Sequence, residues 1–351
     1  MMVEDEERPV FDRLDGVNIP AQSRSTIGHD SAMTQLTSAH RAGRLHHAWM
    51  ISGPRGVGKS TLALNFAKHL FAHPLGEHAP EHFDNTAIPE AIHGSVAQGS
   101  HNQLLHLTRP WDPKGERFKT QLSVDEIRRT VPFYGMTAGG GGYRVTIIDA
   151  ADDMNTSAAN AVLKMLEEPP AKSVFFVLAH APGSLLPTIR SRCRVLPLDP
   201  LSADDITDIL GQVLHDGATN NVDAARLAQG SVRRAIQLQQ GDVLKAYSQF
   251  ESLMAQPKPG EARDWVAVHT LADSLSKRGG EAAYDLFIDL VLDWIAARVR
   301  ENPNVPVAWM ARWAELHSKA RDAVRLAEAY NLDRKQVLLN LFSDLFSVAR
   351  S

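Results

Sequence analysis

Nine consecutive residues, Gly53-Pro-Arg-Gly56-Val-Gly58-Lys59-Ser60-Thr61, carry the densest chemistry in the chain. They match the pattern G-x-x-x-x-G-K-[ST] in full. Glycines let backbone N–H groups turn inward around a phosphate, and the start of the following helix adds its positive dipole end. Lys59 suits the terminal phosphates of a nucleotide, and Ser60 suits a magnesium ion riding on them. The flanks fit as well. Ala48-Trp49-Met50-Ile51 reads as a short buried strand entering the loop. Residues from Ser60 to about Phe71 read as a helix leaving it, with Leu62, Phe66, Ala67 and Leu70 on one face. The motif speaks for binding a nucleotide's phosphates and is silent on hydrolysis.

A second element bears on hydrolysis. Val145-Thr-Ile-Ile-Asp149 is an apolar run ending in an acid, about ninety residues past the loop, where a second magnesium-steering acid belongs. A water-activating base is expected directly after it, but that residue is Ala150, whose methyl group cannot accept a proton. Asp152 is the nearest substitute, and its short side chain three residues along should point elsewhere. The third element is Leu186-Pro-Thr-Ile-Arg190-Ser191-Arg192-Cys193-Arg194. A planar, permanently charged guanidinium there suits a phosphate; surface charge at a strand end is the plainer reading. Cys193 has no base beside it in sequence and reads as a small packed residue.

These groups need a scaffold, and residues 25–197 alternate strand and helix in a way that predicts an α/β domain with a mostly parallel sheet. Helices are expected at 31–42 (ending at Gly43), at 123–131 behind the Ser123-x-x-Glu126 spacing of a capping box, and at about 157–168 before Pro169-Pro170. Strands are expected at 143–148, after a turn of four glycines (139–142), and at 173–179. Residues 72–110 are rich in Pro, Gly and His and read as an insertion with little regular structure. Residues 1–24 read as a polar arm, 198–245 as small helices, and 246–351 as an all-helical domain, with a boundary candidate at Pro257, Pro259 and Gly260. Two apolar stripes, Leu286-Phe287-Leu290-Val291-Trp294-Ile295 and Val337-Leu338-Leu341-Phe342-Leu345-Phe346, read as bundle core.

Bulk composition sets limits. The 351 residues are 44% hydrophobic and 22% charged with a net charge of −4, so no bulk basic character holds a phosphate backbone. Any nucleic-acid contact must be local, with Arg128 and Arg129 as candidates beside the plainer reading of a solvated helix face. One cysteine excludes an internal disulfide or a four-cysteine zinc site and fits a reducing compartment. The acidic start (Glu4, Asp5, Glu6, Glu7) is unlike a secretory signal, and no apolar run is long enough to span a bilayer.

Taken in order, Gly43-Arg-Leu-His46-His47-Ala48, the loop at 53–61, Asp149-Ala-Ala-Asp152, Asn160-Ala-Val-Leu-Lys-Met-Leu-Glu-Glu-Pro-Pro170 and Ser191-Arg-Cys193 resemble the bacterial DNA polymerase III clamp-loader subunits. The resemblance is dense over 25–197, looser over 198–245, and limited to helicity beyond. It implies an AAA+ nucleotide-binding domain (25–197), a small helical lid (198–245) and a C-terminal helical collar (246–351) in a hetero-pentamer of gamma/tau, delta and delta-prime subunits. That assembly opens a sliding clamp and loads it on primed DNA in the cytoplasm, at the nucleoid. By the same resemblance Arg192 is an arginine finger offered in trans to the neighbouring subunit, and Arg233, in Gly230-Ser-Val-Arg-Arg-Ala235, is a nucleotide sensor. The implied ligand is ATP or ADP with Mg²⁺, held by Gly53, Gly56, Gly58, Lys59, Ser60, Thr61 and Asp149. Ala150 points to the non-hydrolysing delta-prime type, as does a chain ending at 351 without the long extension of tau; a hydrolysing gamma/tau-like motor is the alternative. The family also includes members with degenerate phosphate loops, whereas this loop is complete. The family's four-cysteine zinc module has no counterpart: its stretch holds His73, His78, His82, His93, His101 and His106 instead, at spacings of no known ligand pattern, and no zinc is expected. His180-Ala181 stands where a phosphate-sensing threonine or asparagine is usual.

Overall fold

The computed structural model describes residues 10–135, 141–214, 221–240, 242–255, 264–302 and 304–349. The chain divides into two compact units, 1–235 and 236–351.

In the first unit, α1 (Asp30–Arg41) leads to β1 (Ala48–Ser52) and α2 (Lys59–Ala72). α1 stops because Gly43 takes a positive φ; its N–H bonds the His40 carbonyl and the Arg44 N–H bonds the Ala39 carbonyl. α3 (Glu90–Ala97), β2 (Leu104–Leu107) and the small hairpin β3 (Trp111–Asp112) and β4 (Arg117–Phe118) follow. Then come α4 (Val124–Arg128), α5 (Thr130–Gly135), β5 (Arg144–Ile148), α6 (Thr156–Glu167), β6 (Ser173–Ala179), α7 (Pro187–Arg190) and β7 (Arg194–Pro197). The five long strands form one sheet in the order β2-β5-β6-β1-β7, with every pair parallel. Each parallel step needs a crossover connection, and crossover helices cover a sheet on its faces. β1 and β6 are accordingly buried along their whole length. This is an α/β parallel-sheet, AAA+-like core. α8 (Ala203–Val213), α9 (Asn221–Leu227) and α10 (Val232–Gln239) follow it.

Two sequence expectations change here. The 72–110 stretch has more regular structure than expected: it contains α3 and the edge strand β2, in which Leu105 and Leu107 are buried. Four residues with a histidine among them are too few to show a period by themselves; pairing with β5, Leu107 opposite Ile148, makes them a strand. The capping box at Ser123 is not formed by its side chain, and the helix breaks into α4 and α5. Part of the glycine turn (139 and 140), and the whole boundary candidate at 257–260, lie outside the described residues.

The second unit contains α11 (Val243–Met254), α12 (Trp265–Leu275), α13 (Glu281–Glu301), α14 (Val307–Tyr330) and α15 (Arg334–Ala349). Phe250 is its hub, with ring centres 6.0 Å from Phe287, 5.2 Å from Trp294 and 5.9 Å from Phe342. Leu286, Phe287, Leu290, Val291 and Ile295 of one stripe, and Leu338, Leu341, Phe342, Leu345 and Phe346 of the other, are buried as core. Among the described residues no helix is long and apolar enough to cross a membrane.

Candidate nucleotide site

The site is built at the carboxyl edge of the sheet, where open parallel sheets bind ligands. β1 ends at Ser52, opposite Ala179 of β6 and Pro197 of β7. The chain then turns sharply. The Gly53 N–H bonds the Ala179 carbonyl, and the Leu198 N–H bonds the Ser52 carbonyl. At Gly56, φ is +78°, and a Cβ would lie 2.4 Å from Ser231 Oγ and 2.6 Å from Arg233 Cβ. Any side chain there would push the 231–233 segment off the loop, so this glycine, at a position the motif leaves open, is required by a close approach. Gly58, at φ +106°, caps α2.

Lys59 opens α2 and is 4% exposed. Its ammonium donates to the Gly53 carbonyl at 2.8 Å and the Pro54 carbonyl at 2.7 Å, so it points back into the curve of the loop. Burial pushes it down to about 8; Asp149 and Asp152 oppose the fall and Arg55 adds to it. A buried cation that leans on carbonyls alone is under-compensated, and an incoming phosphate would relieve it. Ser60 and Thr61 occupy the first turn, both half-buried.

Asp149 follows β5, and its N–H bonds the Leu107 carbonyl. Burial alone would raise its pKa. The nearby His106 (Nε2 to Oδ2 3.5 Å), the Ser60 hydroxyl and the His180 ring outweigh burial and hold the carboxyl below its usual range. The two residues assigned to magnesium, Ser60 and Asp149, are thus near enough to interact.

Ala150 is buried and offers no proton acceptor. The neighbouring acids are committed elsewhere. Asp152 Oδ2 accepts from the His180 N–H at 2.6 Å, and Oδ1 accepts from the Ala181 N–H at 2.9 Å and the Ser184 hydroxyl at 3.2 Å. Asp153 is forked by Arg109, with Nε to Oδ2 2.6 Å. His180, directly after β6, is driven below its ordinary pKa by burial and then by the Lys59 charge.

Arg233 arrives from the start of α10, its N–H 3.4 Å from the Gly56 carbonyl. Arg192 goes elsewhere. Arg194 pairs with Trp49, near the start of β1, so Arg192 stands toward the amino edge of the sheet, away from this chain's own loop. It pairs with Glu167 at 2.7 Å and donates to the Thr188 carbonyl at 3.0 Å. Cys193 is packed in the core, and burial pushes its thiol up to about 11, as an inert residue requires. Arg128 and Arg129 pair with Asp125 and Glu126 on their own helix.

Several participants were not singled out in the sequence. His29 is buried and its Nε2–H donates to the Val57 carbonyl at 2.7 Å, bracing the loop. Lys68, fully buried on α2, donates to the Ser23 carbonyl, while Asn65 bonds the Ser25 carbonyl and the Thr26 hydroxyl. An isolated polar residue in a helix gives no sequence signal of such long-range ties. His40 and His69 meet edge to face, with His40 Nδ1 3.2 Å from His69 Nε2, and His73, which the sequence had singled out, lies tilted against His69. Among the described residues no group of three or more His, Cys, Asp or Glu is arranged to hold a metal ion.

The family described as "DNA polymerase III, delta subunit" matches residues 28–202. The DNA polymerase III subunit delta' of Escherichia coli is 30% identical over 278 residues, covering 78% of each chain. The DNA polymerase III subunit gamma of Buchnera aphidicola is 30% identical over 229 residues, covering 62% of this chain and 58% of its own. A solved DNA polymerase III gamma subunit-related protein of Thermotoga maritima aligns at a TM-score of 0.44 and 19% identity, covering 90% of this chain and all of that one. With delta' and gamma relatives matching at the same identity, the chain belongs to the DNA polymerase III clamp-loader family of AAA+ subunits, in the clade of delta', gamma and tau.

Proposed function

We propose that this chain is the delta-prime-type stator of its clamp loader: it binds ATP or ADP with Mg²⁺, hydrolyses neither, and presents Arg192 to the nucleotide of a neighbouring gamma/tau subunit. The observation that carries the first part is Ala150 beside Asp149, with Asp152 and Asp153 both engaged by other donors. Without an acid free to take a proton from water, the bound nucleotide is held rather than turned over. Gly53, Gly56 and Gly58 shape the amide cradle, Lys59 holds the terminal phosphates, Ser60 with Asp149 holds the metal, and Arg233 flanks the loop. The second part is supported by the position of Arg192 away from its own loop. Its partner there, Glu167, is replaceable by a phosphate, which the planar fork binds better. In this reading the subunit acts with gamma/tau and delta to load a sliding clamp on primed DNA.

The test is ATPase activity of the purified chain alone, alongside direct binding of labelled ATP. Binding without turnover is the expected result. The intact loop also suits a gamma/tau-like motor, and brisk turnover by the isolated chain would move the assignment there.

A further inference from the structure

One carboxylate reaches both arginines beside the phosphate loop, and it comes from the N-terminal arm. Asp12 Oδ1 accepts from Arg55 Nη2 at 2.7 Å and lies 3.0 Å from Arg233 Nη2; the Asp12 carbonyl accepts from Arg233 Nη1 at 2.6 Å. These partners are 43 and 221 residues away in sequence. Arg55 belongs to the loop itself, and Arg233 is bonded to it through Gly56. The adjacent Phe11 is seated edge-on against Phe118 at 5.2 Å, with the Arg109 guanidinium 5.3 Å over its ring. Arg109 in turn forks onto Asp153. The arm therefore touches the glycine loop directly and reaches the acidic segment after β5 through Arg109.

Three features separate this contact from an ordinary surface ion pair. Asp12 is in the left-handed region at φ +64°, which a non-glycine residue occupies at a local cost that its contacts must offset. Its two guanidinium partners repel one another, and the carboxylate between them removes that repulsion. A nucleotide phosphate offers these same guanidiniums more charge and more acceptor oxygens than one carboxylate does.

We propose that Phe11 and Asp12 form an internal anionic latch on the phosphate site: Asp12 occupies Arg55 and Arg233 until the phosphates of an incoming nucleotide displace it. The proposal rests on the reading of the loop as a nucleotide site. Latch and nucleotide then compete for the same cations. Apparent affinity is lowered by the fraction of chains that are latched, and binding of nucleotide frees the arm. The rest of the arm stays tied, because Lys68 and Asn65 hold residues 23–26 and Arg24 pairs with Glu90 at 2.6 Å. The latch is the segment before those ties, which carries Phe11 and Asp12.

The experiment is titration of the full chain with fluorescent ATP and ADP in wild type, Asp12→Asn and Phe11→Ala. Hydrogen exchange of residues 10–19 is followed with and without nucleotide. A latch closed in about nine chains of ten predicts roughly tenfold tighter binding in both variants, since each removes a different hold. Exchange over residues 10–19 should rise in the variants, and in wild type when nucleotide is added. Binding by all three proteins with unchanged or weaker affinity in the variants would overturn the latch and leave the nucleotide site standing. No binding by any of the three would overturn both. Binding seen only in the variants would support the latch in its strongest form.

Discussion

Asp152 and His180 are joined by a 2.6 Å hydrogen bond from the His180 backbone N–H to the Asp152 carboxylate, so the acid nearest the missing base holds the end of β6 in place. The same carboxylate accepts from Ala181 and Ser184. Asp152→Ala would strip three donors of their acceptor. A loss of roughly 1–3 kcal/mol is expected, read by denaturant unfolding of the isolated chain. If Asp152 instead served as a base, the isolated wild-type chain would turn ATP over and the variant would lose that activity.

Lys59 gives a second test, because burial and function oppose each other there. Its folded pKa of about 8 lies below the ordinary 10.5. Between those values the unfolded chain binds more protons than the folded one, so stability rises as pH rises through that window. The burial penalty is fully present below about pH 8. Lys59→Met should therefore flatten the rise between about pH 8 and 10 and raise stability near neutrality by on the order of 1 kcal/mol. The same variant should lose nucleotide affinity at least tenfold. Lys68, also lowered to about 8, should keep part of the slope in that variant.

The histidine cluster sets the acid side. Burial drives His40 down to about 4 and His69 to about 3, with neighbouring histidines adding to both. The unfolded chain, titrating near 6.5, takes up protons that the folded chain refuses, so stability is lost as pH falls below that value toward about 4. A loss of on the order of 2–4 kcal/mol over this window is expected. His69→Leu should shrink the slope; thermal melts at about pH 7 and 5 would show it, and an unchanged slope would place the acid sensitivity elsewhere.

Arg192 separates assembly chemistry from stability. In the isolated chain it makes a partly exposed pair with Glu167 and one bond to a carbonyl, so Arg192→Ala should cost under about 1 kcal/mol. In the assembled clamp loader it should lower ATPase by about 10³–10⁵. Unchanged ATPase in that complex would remove the finger assignment.

The phosphate loop, Asp149 and the absence of an acid at Ala150 were legible in the sequence because each is set within a few consecutive residues. Glycine conformation, a strand end and the start of a helix are local matters. The parallel-sheet core was legible too, since β1 and β6 are continuous apolar runs. Tertiary structure decided the rest. Leu104–Leu107 became a strand only by pairing with β5. Asp152 and Asp153 lost their freedom only when the segments at 180–184 and at Arg109 folded against them. Asp12 met Arg55 and Arg233 only because a crossover topology brings residues 221 positions apart to one edge of the sheet. Backbone geometry is governed by near neighbours, whereas the partner of a charged side chain is fixed by where the folded chain carries it. The sequence therefore determined which groups can do chemistry here, and the fold decided which of them are already engaged.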